Sequence, residues 1–431
     1  MSHKKKIAFH TLGCKLNFSE SSSIANELIQ KGYSIVDFKE QADIYIIHSC
    51  SVTNNADKKT VSAVRQAHRK NPEAHIALLG CYAQLKPEQA AQIDGVDVVL
   101  GNAEKFDLFN YLNELNGENK KIVHSDDFKN NLVFVPTYSS EDRTRSFFKI
   151  QDGCDNFCAY CTVPFARGRS RSNSIKDTIE VFKKIAETEM KEVVLTGVNI
   201  GDFGKKNKES LLNLLKELDK INGIERLRIS SIEPDLLPDE MIEFISHSKK
   251  TLPHFHLPLQ SGSNKILKQM GRHYTTEFFS DKVKQIKTVM PQSCIAVDVI
   301  VGFPGETDED FLETFHCLER VDISYLHVFT YSEREKTKAI QLADSVPSHI
   351  RNQRSEQLHM LSDQKKEFFY KKNIGRKVNV LFESDNVKGY ISGFSENYIR
   401  VKTKFNKELI NQIVQIELSD IDTDGVFIAK L

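Results

Sequence analysis

The chain has 431 residues, of which 40% are hydrophobic and 27% are charged, a composition that fits a globular protein and excludes general disorder. Basic and acidic residues both number 59, so no overall charge attracts RNA and any RNA-binding surface must be local. The length predicts roughly three domains. The sequence shows neither a signal peptide nor an uncharged run of about 18 residues, so we expect a cytoplasmic protein without a membrane segment.

Residues 1–138 alternate short apolar runs with helical patterns, which is typical of an open parallel α/β sheet. Three of the runs end in a cysteine, namely Cys14, Cys50 and Cys81. Because the carboxyl ends of parallel strands share one edge of a sheet, the fold can bring these thiols together. Three unrelated core cysteines are the alternative. A polar stretch from Asn116 to Asp142 is predicted to separate this layer from the next domain.

Residues 139–372 contain six strand candidates separated by helical patterns, with the sequences FFKIQD, EVVLTG, RLRISS, HFHLPL, CIAVDVIVGFP and YLHVFTYS. Six βα units predict a partial barrel rather than a closed barrel of eight strands. A charged helix from about Ser348 to Asn373 leads out of the barrel. Residues 373–431 then change to short alternating strands, which predicts a small antiparallel β-barrel of the oligonucleotide-binding type. The predicted fold class is therefore α/β with an added β domain.

A CxxxCxxC motif, formed by Cys154, Cys158 and Cys161, follows the first barrel strand. Three thiolates this close can hold one inorganic centre, and Gly153 allows a tight backbone turn around it. Structural zinc usually takes four protein ligands, and no fourth cysteine or histidine lies nearby in the sequence. A four-iron cluster with one open iron is therefore favoured over zinc. Cys294 and Cys317 have no such context and are predicted to lie in the core.

This motif, its position and the six βα units resemble the radical S-adenosylmethionine (SAM) superfamily. The resemblance implies a [4Fe-4S] cluster on the motif, with SAM bound to the open iron through its amino and carboxylate groups. It also implies that one electron, from a reductant such as flavodoxin or ferredoxin, cleaves SAM to a 5′-deoxyadenosyl radical.

The order of the three domains resembles the methylthiotransferase family over essentially the whole chain, and the last domain resembles its TRAM domain. The stretches TLGCKLN, FARGRSRS, RISSIEP, HLPLQSGS and DVIVGFPGET resemble the branch that modifies N6-threonylcarbamoyladenosine at position 37 of the tRNA anticodon loop. The isopentenyladenosine branch usually reads GCQMN at the first of these stretches. One departure is YSEREKTKA, where many relatives carry Pro-Gly or similar residues in place of Glu335-Lys336.

The family resemblance implies a transferase with a second [4Fe-4S] cluster on Cys14, Cys50 and Cys81. One SAM would methylate a sulfur held there, and a second SAM would supply the radical that removes hydrogen from adenine C2. That C–H bond is not acidic, so no catalytic acid or base is expected, and the cofactors carry the chemistry.

Candidate contacts to SAM and to tRNA follow from position. Barrel enzymes place their sites at the carboxyl ends of strands, which here carry Gly197, Asn199, Ser231, Glu233 and Gln260. Asn199 or Ser231 could instead cap a helix. Candidates for tRNA phosphate are Arg167, Arg169, Arg171, Lys402 and Lys404. The arginines could also neutralise the SAM carboxylate, or simply form a solvated turn.

Two alternative functions stay open at this level. The chain could act on isopentenyladenosine or on a ribosomal protein within the same family. It could also be a non-catalytic RNA-binding iron-sulfur protein for electron transfer. Electron carriers usually saturate every iron with protein ligands, whereas each site here offers three cysteines.

Overall fold

A computed structural model describes residues 4–115, 121–126, 133–139 and 144–429 of the chain. The predicted polar seam between the first two domains therefore lies partly outside the described residues. In the described part, every helix is too short or too polar to cross a membrane.

The first domain is an open sheet of six parallel strands in the order β2-β1-β3-β4-β5-β6, which confirms the predicted architecture. Its strands are β1 Lys6–Thr11, β2 Ser34–Val36, β3 Ile44–Ser49, β4 His75–Gly80, β5 Val98–Leu100 and β6 Ile122–His124. Its helices are α1 Lys15–Gln30, α2 Asn54–Lys70, α3 Cys81–Leu85, α4 Pro87–Ala91 and α5 Leu108–Glu114. Helices cover both faces, so the central strands read as continuous apolar runs. The order places the carboxyl ends of β1, β3 and β4 side by side.

The second domain contains all six predicted barrel strands, and they are parallel in the order β8-β11-β12-β13-β14-β15. The strands of this region are β7 Thr137–Tyr138, β8 Arg145–Lys149, β9 Gln151–Asp152, β10 Arg171–Ser172, β11 Glu192–Thr196, β12 Arg226–Ile229, β13 His254–Gln260, β14 Cys294–Val301 and β15 Tyr325–Thr330. The helices are α6 Val163–Arg167, α7 Ile175–Ala186, α8 Leu211–Leu218, α9 Asp239–His247, α10 Asn264–Met270, α11 Thr276–Val289, α12 Asp308–Arg320 and α13 Ser348–Lys372. Among the described strands β15 does not pair with β8, so the barrel is partial.

The first domain packs at the open side of this barrel, where α1 contacts β7 and β8. Strand β7 pairs with β8, so Thr137 and Tyr138 belong to the barrel sheet although the sequence grouped them with the first domain. Cys294 and Cys317 are buried in hydrophobic clusters, as predicted.

The third domain is a curled, largely antiparallel sheet in the order β19-β16-β17-β18-β21-β20, a half-barrel that confirms the predicted small antiparallel β domain. Its strands are β16 Lys377–Val387, β17 Tyr390–Ser395, β18 Arg400–Lys404, β19 Ile413–Glu417, β20 Asp420–Ile421 and β21 Phe427–Ile428. The sequence pattern missed β17 because Gly393 interrupts it. A Cβ at Gly393 would lie 2.2 Å from the Leu381 carbonyl oxygen, so this pairing requires glycine.

Candidate active site

Two Gly-Cys pairs follow β1 and β4, the strands on either side of β3 in the first sheet. Gly13 has φ +99°, and a Cβ there would lie 2.8 Å from Cys50 Cβ. Gly80 has φ +93°, and a Cβ there would lie 2.6 Å from the His48 ring. Both positions therefore need glycine, for the backbone angle and for space. The glycines allow the ends of β1 and β4, and with them Cys14 and Cys81, to approach Cys50.

Asn17 holds the ends of β1 and β3 together. Its Nδ2 donates to the carbonyl oxygens of Leu12 at 2.7 Å and Ser49 at 3.1 Å. Asn102 lies just after β5. Its Nδ2 is 3.6 Å from Cys81 Sγ and donates to the Ala166 carbonyl at 2.7 Å. Thus the structure brings the first cysteine triad together, and Asn102 also connects it to the loop that carries the second triad.

The second triad, Cys154, Cys158 and Cys161, lies on the loop between β9 and α6. Gly153 begins this loop with φ +72°, and a Cβ there would lie 2.1 Å from the Arg169 carbonyl oxygen. Backbone amides donate to two of the sulfurs, from Asn156 to Cys154 at 3.5 Å and from Val163 to Cys161 at 3.4 Å. Amides that donate to sulfur stabilise the thiolate form of a cysteine, which is the form that binds a metal centre.

Burial raises the pKa of the Cys50 and Cys161 thiols to about 12 and that of Cys154 to about 11. Neighbouring cysteines in each triad raise these pKa values further, because thiolates repel one another. A metal centre needs the thiolate form, so loading either triad must release protons.

The spacing of the thiols distinguishes a single ion from a larger centre. Thiolates on one tetrahedral zinc, with Zn–S about 2.3 Å, lie about 3.8 Å apart. Among the described residues, only His256, Asp298 and His327 place three metal-ligating atoms within 4.8 Å of one another. The three thiols of each cysteine triad therefore do not all lie within 4.8 Å of one another, an arrangement wider than that of three thiolates on one zinc ion.

A buried ion-pair network lies between the triads. Glu20 of α1 accepts from Lys105 Nζ at 2.6 Å, from Lys149 Nζ at 2.8 Å and from both terminal nitrogens of Arg167 at 3.1 Å. These cations hold the pKa of Glu20 well below its ordinary value, against the opposing effect of burial. Sequence spacing gave no signal for this network, because Glu20 and Arg167 are 147 residues apart.

The three candidate arginines differ in their surroundings. Arg167 and Arg171 are buried and donate to Asp152 at 3.0 and 2.9 Å. Their guanidinium groups are thus engaged with a carboxylate inside the protein, which differs from the expected contact with SAM or tRNA phosphate. The side chain of Arg169 is 60% exposed and lies 3.5 Å from Asp155. Arg169 is therefore the accessible arginine of this segment and stays a candidate for a phosphate contact.

Gln151 connects Gly197 and Asn199 to the start of the loop that carries the second triad. Gln151 Oε1 accepts from the Asn199 amide at 2.8 Å, while its Nε2 donates to the Gly153 carbonyl at 2.7 Å. A Cβ at Gly197 would lie 2.8 Å from Gln151 Oε1. The Asn199 side chain donates to Asp202 instead of capping a helix, and its buried Oδ1 has no partner among the described residues.

Glu233 is connected to the second triad by an arginine that the sequence did not single out. Arg272 pairs with the Glu233 carboxylate and donates to Cys158 Sγ at 3.3 Å. Ser231 lies beside His256 through a parallel bridge, and Gln260, at the end of β13, is buried with φ +72°. A lone arginine in a polar turn carries no sequence signal for such a contact.

The two candidate lysines of the third domain also differ. Lys402 Nζ lies 2.5 Å from Asp422 and 3.1 Å from Asp424, which neutralise it and raise its pKa. Lys404 is exposed. Lys404 is therefore the better candidate for a phosphate contact.

Comparison with known proteins gives two family matches and several relatives. Residues 6–101 match "Uncharacterized protein family UPF0004", and residues 148–318 match "Radical SAM superfamily". The chain is 38% identical over 422 residues to the threonylcarbamoyladenosine tRNA methylthiotransferase MtaB of Bacillus subtilis, which covers 96% of this chain and 93% of that protein. It is 40% identical over 413 residues to the protein of the same name from Aquifex aeolicus, covering 95% of this chain and 99% of the relative.

A tRNA-2-methylthio-N(6)-dimethylallyladenosine synthase from Clostridium tetani is 34% identical, covering 97% of this chain and 94% of that protein. Among solved structures, the radical SAM methyltransferase TsrM from Kitasatospora setae matches 78% of this chain and 77% of its own with a TM-score of 0.54. At 12% identity this last likeness concerns the fold alone.

Proposed function

We propose, from the premise that this chain belongs to the radical SAM tRNA methylthiotransferase family, that it converts N6-threonylcarbamoyladenosine at tRNA position 37 to its 2-methylthio derivative. The observation that carries the proposal is the 38–40% identity to two relatives of that named activity, which extends over at least 95% of the chain. The relative named for dimethylallyladenosine is 34% identical over a similar length. Reaction on RNA is consistent with the cytoplasmic location predicted above.

As a member of this family, the chain uses SAM and two [4Fe-4S] clusters. We infer that Cys154, Cys158 and Cys161 hold one cluster and that Cys14, Cys50 and Cys81 hold the other. Bound there, the cofactors supply a carbon radical, made by reduction of one SAM, and a sulfur methylated by a second SAM. The donor sets fit, because each triad supplies three thiols, and thiolates are the protein ligands of iron-sulfur clusters.

The chain's own residues position these groups and exclude water. The network of Glu20, Arg167 and Asp152 is buried between the two triads and fixes their loops relative to each other. Gly197, Asn199, Ser231, Glu233 and Gln260 remain our candidate SAM contacts. The unpartnered Oδ1 of Asn199 suits a ligand N–H or O–H donor, since a buried acceptor without a partner is costly.

We propose that all three predicted domains, 1–138, 139–372 and 373–431, contribute to tRNA binding. Arg169 and Lys404 are exposed cations suited to phosphate. A cleft of about 680 Å³ lies between Gly13 and Cys50 of the first domain and the end of β15. This volume is in the range of small-molecule sites and suits a base splayed out of the anticodon loop.

The test uses the reconstituted protein with SAM, a chemical reductant and tRNA that carries either N6-threonylcarbamoyladenosine or isopentenyladenosine. We expect the first tRNA alone to gain a methylthio group in place of hydrogen, measured by mass spectrometry of digested nucleosides. Modification of the second tRNA alone would contradict the substrate assignment. Absence of 5′-deoxyadenosine with either tRNA would favour an electron carrier over an enzyme.

A further inference from the structure

Lys15 directly follows Cys14 in the first turn of α1. We propose that Lys15 binds the threonyl carboxylate of the substrate nucleoside and so makes the enzyme specific for an anionic substituent on N6. This inference rests on the proposed function and assigns a specificity-determining residue to it.

Lys15 begins helix α1, which packs at the open side of the barrel against β7 and β8. Besides Cys14, its ammonium group lies within electrostatic range of side chains from five barrel strands, namely Arg145 of β8, Glu192 of β11, Arg228 of β12, His254 of β13 and His327 of β15. Lys15 itself is half-buried, and Cys14 is exposed. Lys15 is therefore accessible beside an exposed candidate cluster ligand and within electrostatic range of five barrel strands.

Three arginines of the barrel strands β8 and β12 already have partners. Arg145 pairs with Glu383 at 2.5 Å. Arg226 donates to two carbonyl oxygens, at 2.6 and 3.1 Å. Arg228 makes a bidentate contact with Glu192, in which its Nε and Nη2 donate to the two carboxylate oxygens at 3.0 and 3.2 Å. These groups are fixed by the protein and have little capacity left for a ligand.

Lys15 differs from them. Among the described residues, none accepts a hydrogen bond from its Nζ, and none places a carboxylate within 4.0 Å of it. Glu192 attracts this ammonium group, but both Glu192 oxygens already accept from Arg228, and Arg145 and Arg228 repel it. A partly desolvated ammonium without a directly bonded carboxylate is unfavourable. A ligand carboxylate would remove this cost, whereas an apolar substituent would not.

The chemistry of the substrate supplies such a group. The N6 substituent of the proposed nucleoside ends in a threonine carboxylate, which is ionised near neutral pH. The reacting C2 atom and the N6 substituent belong to one purine, so a base placed near Cys14 has its substituent within reach of the adjacent residue. Charge-assisted hydrogen bonds are stronger than neutral ones, and they give the enzyme a means of selection.

The experiment compares two anticodon stem-loops, one with N6-threonylcarbamoyladenosine and one with its threonyl carboxylate converted to the carboxamide. The proteins are the reconstituted wild type, Lys15→Gln, Lys15→Arg and the exposed control Lys176→Gln on α7. Dissociation constants for the stem-loops come from fluorescence anisotropy, those for SAM come from equilibrium dialysis, and iron content checks cluster loading.

We expect the wild type and Lys176→Gln to bind the carboxylate about tenfold to a hundredfold more tightly than the carboxamide, as for a charge-assisted hydrogen bond. Lys15→Gln should bind the two equally, and Lys15→Arg should keep most of the preference. Equal binding of both stem-loops by the wild type overturns the inference even if Lys15→Gln fails to load iron.

The remaining outcomes separate this inference from the proposed function. If Lys15→Gln keeps the wild-type preference, the inference is overturned while methylthiolation by the wild type still supports the function. If Lys15→Gln loses affinity for SAM as much as for the stem-loop, Lys15 acts on SAM and the inference is again overturned. If the wild type prefers the carboxylate yet forms no methylthiolated nucleoside, the proposed function fails and the inference about binding survives.

Discussion

Replacing Arg167 by methionine tests whether the buried network joins the two cysteine-bearing layers. The substitution keeps an unbranched apolar stem and removes the hydrogen bonds of Arg167 to Glu20 at 3.1 Å, to Asp152 at 3.0 Å and to Asn17 at 2.6 Å. Breaking a buried ion pair costs about 3 to 5 kcal/mol. Glu20 keeps Lys105 and Lys149, and Asp152 keeps Arg171, so we expect the lower end, about 3 kcal/mol.

The measurement is the thermal midpoint of the reconstituted protein. A loss of about 3 kcal/mol corresponds to a decrease of roughly 6 to 12 °C for a unit of 150 to 250 residues. Arg169→Met is the matched control, since its side chain is 60% exposed and its pairing with Asp155 at 3.5 Å contributes little. Equal midpoints for Arg167→Met and Arg169→Met would refute the argument that the network is structural.

Three further predictions follow from the site and from the backbone. Replacing Cys14, Cys50 and Cys81 by alanine should halve the iron content and abolish methylthiolation but leave formation of 5′-deoxyadenosine from SAM, so full product formation by this variant would contradict the assignment. Lys404→Ala should weaken tRNA binding and reduce its salt dependence more than Lys402→Ala, because Lys402 is paired with Asp422 and Asp424; equal effects would count against the assignment. Lys336 has φ +66°, so Lys336→Gly should stabilise the protein by about 1 kcal/mol, seen as a higher thermal midpoint, and an unchanged or lower midpoint would contradict it.

The parts of the fold that local pattern determines could be predicted from the sequence. The six barrel strands and the three cysteine-terminated strands were found because apolar runs report burial along a short segment. Strand β17 was missed because glycine interrupts its pattern, and its pairing depends on the approach of Leu381 from another strand. The departure at Glu335-Lys336 now has a structural location, since Lys336 adopts the left-handed angle that a glycine accommodates.

In the candidate site, too, some features could be predicted from the sequence and others could not. The candidate ligand cysteines lie at strand ends or in one short motif, so their grouping could be inferred from spacing and topology. The surroundings of Arg167, Arg171 and Lys402 could not, because each depends on a carboxylate whose direction only the folded chain defines. A basic segment in a sequence predicts a phosphate contact as readily as a buried ion pair.

The composition of the network explains why cations are buried here at all. Lys105, Lys149, Arg167 and Arg171 are four buried cations, and they contact two buried carboxylates, Glu20 and Asp152. Four positive charges against two negative charges leave an excess of two, which would be costly in an isolated interior. Each cluster on three thiolates would bring a net negative charge to one side of this network. We infer that this excess would balance the negative charge of clusters held at the two triads, so that the residues that join the two layers would also stabilise those clusters.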